Sequence, residues 1–130
     1  QHTVQRSIEA LGLADRVKLV GRLGDRDRDG LLGMAAALVF PSSYEGFGAP
    51  VIEAMSLGAP VVASNLTALP DVVGDAGYAI DLDLQAWADA ITDVISRRET
   101  WQQRGRTRAM QFRAVDSGRD LAAVYRKVGE

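Results

Sequence analysis

The 130 residues contain no cysteine, so the chain has no disulfide, no thiolate nucleophile and no thiolate metal site. Histidine is almost as scarce: His2 is the only one, next to Gln1. A Ser-His-Asp triad or a His-based metal site within the chain is therefore excluded. No apolar run approaches the roughly 18 residues that a membrane-spanning helix needs. None reads as a signal peptide, and a cytoplasmic setting is the expectation. There is no basic excess either: 15 Lys and Arg face 17 Asp and Glu, for a net charge of −2. Nucleic acid is not expected as a partner.

What is present has the proportions of a soluble globular domain with one core: 47% hydrophobic and 25% charged residues. Short apolar runs alternate with longer helical patterns. VKLVG (Val17–Gly21), ALVFPS (Ala37–Ser42), PVVAS (Pro60–Ser64) and the weaker GYAI (Gly77–Ile80) read as four strands. Each is β-branched or apolar nearly throughout and does not alternate, as in parallel strands covered on both faces. Helices are expected over Thr3–Leu11, Asp29–Ala36, Gly48–Gly58 and Ala68–Val73, along the apolar face from Leu84 to Ile95, and over Glu99–Phe112 and Ser117–Lys127. Strand–helix alternation implies a doubly wound α/β domain with a parallel sheet. Its core is expected over residues 17–95, followed by C-terminal helices over 97–128.

Several charged stretches invite a functional reading. DRDRDG (Asp25–Gly30) opens like a calcium loop, but position twelve of that pattern, where a bidentate glutamate belongs, is Ala36. A solvated turn with a helix cap is the plainer reading, and it also covers the Asp-x-Asp pair at Asp81 and Asp83. Arg97–Arg113 holds six arginines against Glu99 alone. Such a helix could bind phosphate or anionic lipid. The simpler account is a solvated face with Trp101, Met110 and Phe112 packed inward.

The stretch SSYEGFGAPVIEA (Ser42–Ala54) is of another kind. Between Gly46 and Pro70, Glu53 is the only charged residue. In open α/β sheets ligands sit beyond the carboxyl ends of the strands. EGFGAP is such a strand-to-helix loop, and the helix after it offers free N–H groups and a partial positive charge to a phosphate. Gly46 and Gly48 allow close backbone approach. Glu53, expected on the first turn of that helix, suits a vicinal diol, because a carboxylate offers two acceptor oxygens. Glu45, at the near end of the loop, could hold a second diol. Two diols flanking a phosphate group describe a nucleotide sugar.

FPSSYEGFGAPVIEAMSLGAPVVASNLTALPDVVGDAG, from Phe40 to Gly77, resembles the donor-domain signature of the retaining group 1 glycosyltransferases, which have the two-Rossmann-domain GT-B fold. The likeness extends over about Val17–Val94. It implies a partial donor-binding Rossmann-like domain over residues 1–130. The family's paired glutamates fall on Glu45, which would bind hydroxyls of the donor sugar near the reacting carbon, and on Glu53, which would hold the ribose. The backbone of Gly46, Phe47, Gly48 and Ala49 would line diphosphate and sugar. Arg22 and Leu23 would lie against the base. The resemblance implies no cofactor and no metal, only a nucleotide sugar as substrate.

Three departures accompany the likeness. The family's diphosphate-clamping arginine and lysine would precede Gln1. The acceptor domain too would lie outside these residues, and any membrane contact would reside in that half. FRAVDSG (Phe112–Gly118) replaces the family's usual aromatic pattern. In the strand order of such a fold, VKLVG would be cut off from the other three strands. The fragment is then expected to rearrange, exchange segments or self-associate, and to have little transferase activity alone. Two other readings remain open from the residues: a nucleotide-sugar epimerase of the same architecture, and a non-catalytic phosphate- or calcium-responsive interaction domain.

Overall fold

A computed structural model describes residues 2–113 together with Arg119 and Arg126. Its elements are α1 (His2–Ala10), α2 (Asp25–Met34), β1 (Leu38–Phe40), α3 (Ala49–Leu57), β2 (Val61–Ser64), α4 (Leu69–Val73), β3 (Tyr78–Ile80), α5 (Leu84–Ser96) and α6 (Arg98–Ala109). The three strands form a parallel sheet in the order β1-β2-β3, with Val39 opposite Val62 and Ala63 opposite Ala79. The helix expected over Ser117–Lys127 lies outside the described residues except for Arg119 and Arg126, which are helical.

Of the unalternating apolar strands only the central β2 is buried along its whole length; β1 and β3, on either side of it, are half-buried or, at Val39, exposed. The side chains of β2 divide between two faces. Val61 and Ala63 join Val51, Ala54, Met55, Leu69, Val72 and Val73 under α3 and α4. Val62 joins Trp87, Ala90, Val94 and Trp101 under α5 and α6. Helices on both faces of a parallel sheet make this a doubly wound α/β arrangement.

One expected strand does not form. Val17–Gly21 is irregular, and Val17, Leu19 and Val20 are 38%, 45% and 58% exposed. A strand is held by a neighbour's hydrogen bonds, and among the described residues β1, β2 and β3 pair only with one another. For the same reason the outer edge of β1 is open, with Val39 41% exposed. The helix expected from Asp29 begins earlier, at Asp25, with Asp25 and Asp27 in its first turn, where acids favour the helix dipole.

The arginine-rich segment is more than a solvated face. Arg98 donates to the carbonyl of Ala35, which caps the carboxyl end of α2, at 3.1 Å. The Arg106 guanidinium lies against Gly58, which caps α3. Arg108 donates to the carbonyls of Val72, at 3.1 Å, and Asp71, at the end of α4. Each cation thus sits at the negative end of a helix dipole, and Arg98 and Arg108 satisfy carbonyls that α2 and α4 leave without an internal donor. Trp101 is buried as expected, with Arg97 and Arg104 over its ring at 5.4 and 5.1 Å. Phe112 is half-buried, but Met110 points outward, 63% exposed.

α5 and α6 meet at a polar joint. Asp93 accepts from Arg97 Nε at 2.7 Å, from Trp101 Nε1 at 2.9 Å and from the Tyr78 hydroxyl at 3.1 Å. The Arg97 hydrogen bond is the largest of the influences holding the Asp93 carboxyl below its usual range, with Trp101 and Tyr78 adding to it.

Candidate functional site

The loop from Pro41 to Gly48 leaves the carboxyl end of β1 and enters α3. Gly48 is the N-cap of α3, with φ 84°, and Pro50 occupies the first turn. A Cβ on Gly48 would meet Leu69 Cδ2 at 3.0 Å, so both the backbone angle and the packing select glycine here. Gly46 differs. A Cβ there would meet nothing within 4 Å, because that side of the loop is open.

Three hydroxyls hold this loop, one of them from the sheet. The fully buried Ser64, at the end of β2, donates to the carbonyl of Ser42. The Ser42 hydroxyl shares its proton between Glu45 Oε1 at 3.0 Å and the Tyr44 carbonyl at 3.1 Å. The Glu45 N–H donates to Thr67 Oγ1 at 3.0 Å. Glu45 is half-buried, and no ion pair among the described residues involves it. Its orientation rests on hydroxyl groups.

Glu53 is held differently. It is the fifth residue of α3, about 6 Å along the axis from Ala49, so it lies beyond the first turn where the sequence pattern puts it. Its side chain is 41% exposed, and Arg28 Nη2 lies 3.6 Å from its Oε2. Arg28 also reaches Asp25 at 3.3 Å and Asp29 at 3.2 Å. The hydrogen bond to Asp29, followed by the charge of Glu53, raises the Arg28 pKa above its ordinary value. The isolated carboxylate read from the sequence is therefore a half-exposed one with a cationic neighbour.

Asp25, Asp27, Asp29 and Gly30 all lie within α2. A calcium loop wraps its ligands around the ion in non-helical backbone; a helix sends alternate residues outward in different directions. The calcium reading is set aside on that ground.

Phe47 and Ala49 are exposed, and the Phe47 ring packs edge-on against Phe112 at 6.1 Å. Arg22 and Leu23 are not drawn into the contacts that hold Glu45 and Glu53. Leu23 is half-buried beside Arg26, Asp27, Gly30, Leu31 and Met34, on a pocket of α2.

Residues 1–109 match the family described as glycosyl transferases group 1. The chain belongs to that family. Over 100 residues it is 45% identical to O-antigen chain mannosyltransferase B of Escherichia coli, covering 74% of this chain and 26% of that protein. Over 131 residues it is 37% identical to the MMP alpha-(1->4)-mannosyltransferase of Mycolicibacterium hassiacum, covering 95% and 32%. Sucrose-phosphate synthase of Thermosynechococcus elongatus superposes with a TM-score of 0.86 at 28% identity, covering 98% of this chain and 34% of that one. This likeness fits the expected Rossmann-like half of a GT-B fold. The chain spans about a quarter to a third of the length of these proteins.

The sequence pattern points to Glu45, Glu53 and the glycine loop, but not to Ser42, Ser64, Thr67 and Arg28, which hold them in this structure. Ser64 and Thr67 had a signal, since they lie at the carboxyl end of a neighbouring strand, where open-sheet sites gather. Arg28 had none, because only the packing of α2 on α3 brings it to Glu53.

Proposed function

We propose that this chain supplies the donor site of a retaining glycosyltransferase that transfers a sugar from a nucleotide sugar to an acceptor bound elsewhere in the protein. The observation that carries the reading is the placement of Glu45 and Glu53 on either side of the amino end of α3, with the open backbone of Gly46 between them. The N–H groups of that helix start suit a diphosphate, and each carboxylate suits a pair of hydroxyls. Glu53 would take the ribose and Glu45 the sugar hydroxyls near the reacting carbon. Phe47, Gly48 and Ala49 would line the diphosphate through their backbone. Arg22 and Leu23, in the segment before α2, would lie against the base.

The chemistry asks for little beyond electrostatics. As the sugar–phosphate bond breaks, charge builds on the diphosphate, and oriented amides stabilise it without any enzyme nucleophile. The acceptor hydroxyl attacks from the same face and gives its proton to the departing diphosphate oxygen, so configuration is retained. No metal or cofactor is required in this scheme. Two relatives are named mannosyltransferases, and mannose is accordingly the first donor sugar to test. No helix among the described residues is long and apolar enough to cross a membrane, and the reading keeps a cytoplasmic setting.

The test is product analysis with the full-length protein. A product of retained anomeric configuration, formed equally with and without EDTA, is the expected result. Glu45→Ala should reduce turnover far more than nucleotide affinity. An inverted product, or equal loss of both properties at Glu45, would contradict the assignment.

A further inference from the structure

We propose that Thr67 is a positioning residue for Glu45, and that its left-handed backbone is kept because it places the hydroxyl that fixes the Glu45 main chain. The inference rests on the donor-site reading of Glu45 given above.

Thr67 has φ 52°, and it is the only non-glycine residue with positive φ among the described residues. A β-branched side chain is poorly suited to that region, where glycine and asparagine are the usual occupants. Thr67 is exposed, so no buried methyl group accounts for its choice. What it contributes is Oγ1, which accepts from the Glu45 N–H at 3.0 Å and joins the β2–α4 segment to the β1–α3 loop. That segment is anchored just beyond Thr67. Leu69 is fully buried against Gly48, and its N–H donates to the Leu66 carbonyl at 3.2 Å. Segment and loop therefore meet at two points, an apolar one at Gly48 and a polar one at Glu45. Ser42 holds the Glu45 carboxylate from within the same loop at 3.0 Å, but Thr67 holds its backbone from outside. Strained backbone that persists beside a binding loop is the pattern expected when the strain serves positioning.

The proposal separates stability from turnover. Thr67→Gly removes the hydroxyl and relieves the backbone at once. In the full-length protein its melting temperature should equal or exceed that of the wild type, while kcat falls on the order of tenfold to a hundredfold, the scale of a small misplacement of a reacting group. KM for the nucleotide sugar should change far less than kcat. Thr67→Ser keeps the acceptor oxygen and should retain kcat. Two results would overturn the proposal: wild-type kcat in Thr67→Gly, whatever its melting temperature, or a kcat loss in Thr67→Ser as large as in Thr67→Gly. Glu45→Gln is measured alongside. If it keeps full turnover, the reading of Glu45 falls and the role of Thr67 falls with it. If it loses turnover while Thr67→Gly does not, only the role of Thr67 is overturned.

Discussion

Arg28 on α2 places Nη2 3.6 Å from Oε2 of Glu53 on α3, so the one charged residue between Gly46 and Pro70 has a cationic partner from another helix. The pair is half-exposed on both sides, and Asp25 and Asp29 compete for the same guanidinium. Such a pair orients more than it stabilises. Arg28→Ala is expected to weaken nucleotide-sugar binding by about 0.2–1 kcal/mol, the scale of an exposed ion pair. In a double-mutant cycle with Glu53→Ala its effect should vanish. Full additivity, measured by calorimetric titration of the four proteins, would show that Arg28 does not act through Glu53.

Gly48 carries the geometry of the loop. At φ 84°, with Leu69 Cδ2 3.0 Å from the position of a Cβ, Gly48→Ala should cost about 1–3 kcal/mol of stability. Denaturant unfolding measures this directly. A loss below a few tenths of a kcal/mol would mean that the loop relaxes freely, and the close approach of Leu69 would then have no structural role.

The joint at Asp93 makes stability depend on pH. Its folded pKa is lowered, above all by the hydrogen bond from Arg97. The unfolded chain therefore binds the proton more readily than the folded one. The stabilising contribution is complete above the unfolded carboxylate range, near pH 4, and is lost as pH falls through the lower folded value. Asp93→Asn should lower the melting temperature at pH 7 and narrow the difference between pH 7 and pH 3. An unchanged slope between these pH values would refute this account of the joint.

Among the described residues no strand pairs with the outer edge of β1, next to an exposed Val39. Beside it, Val39, Pro41, Leu82, Leu84, Trp87 and Ile91 line an apolar groove of about 400 Å³. Free edges of this kind pair with other chains. The isolated 130-residue chain is expected to self-associate at micromolar concentration, read by light scattering. A sharp monomer would contradict that expectation.

Much of this was legible in the residues. β2, buried on both faces, was evident from PVVAS, and α3 from its two terminal glycines, because local composition decides both. VKLVG misled because an apolar run specifies a strand only where a partner strand lies beside it. The arginines of α6 misled because their targets, the carboxyl ends of α2, α3 and α4, are distant in sequence and are defined only by packing. Glu45 was visible from its loop, but the hydroxyl that holds its backbone was not. Thr67 reads as an ordinary turn residue until its φ is known.

The most direct test of the donor site is calorimetric titration of the full-length protein with UDP-, GDP- and ADP-sugars, wild type beside Glu53→Ala. Binding of one nucleotide class is predicted, weakened by about 1.5–3 kcal/mol in the variant, the range for hydrogen bonds to a charged group. Equal affinity in both proteins, or no binding of any nucleotide sugar by the folded wild type, would contradict the assignment of the Glu45–Glu53 loop as a donor site.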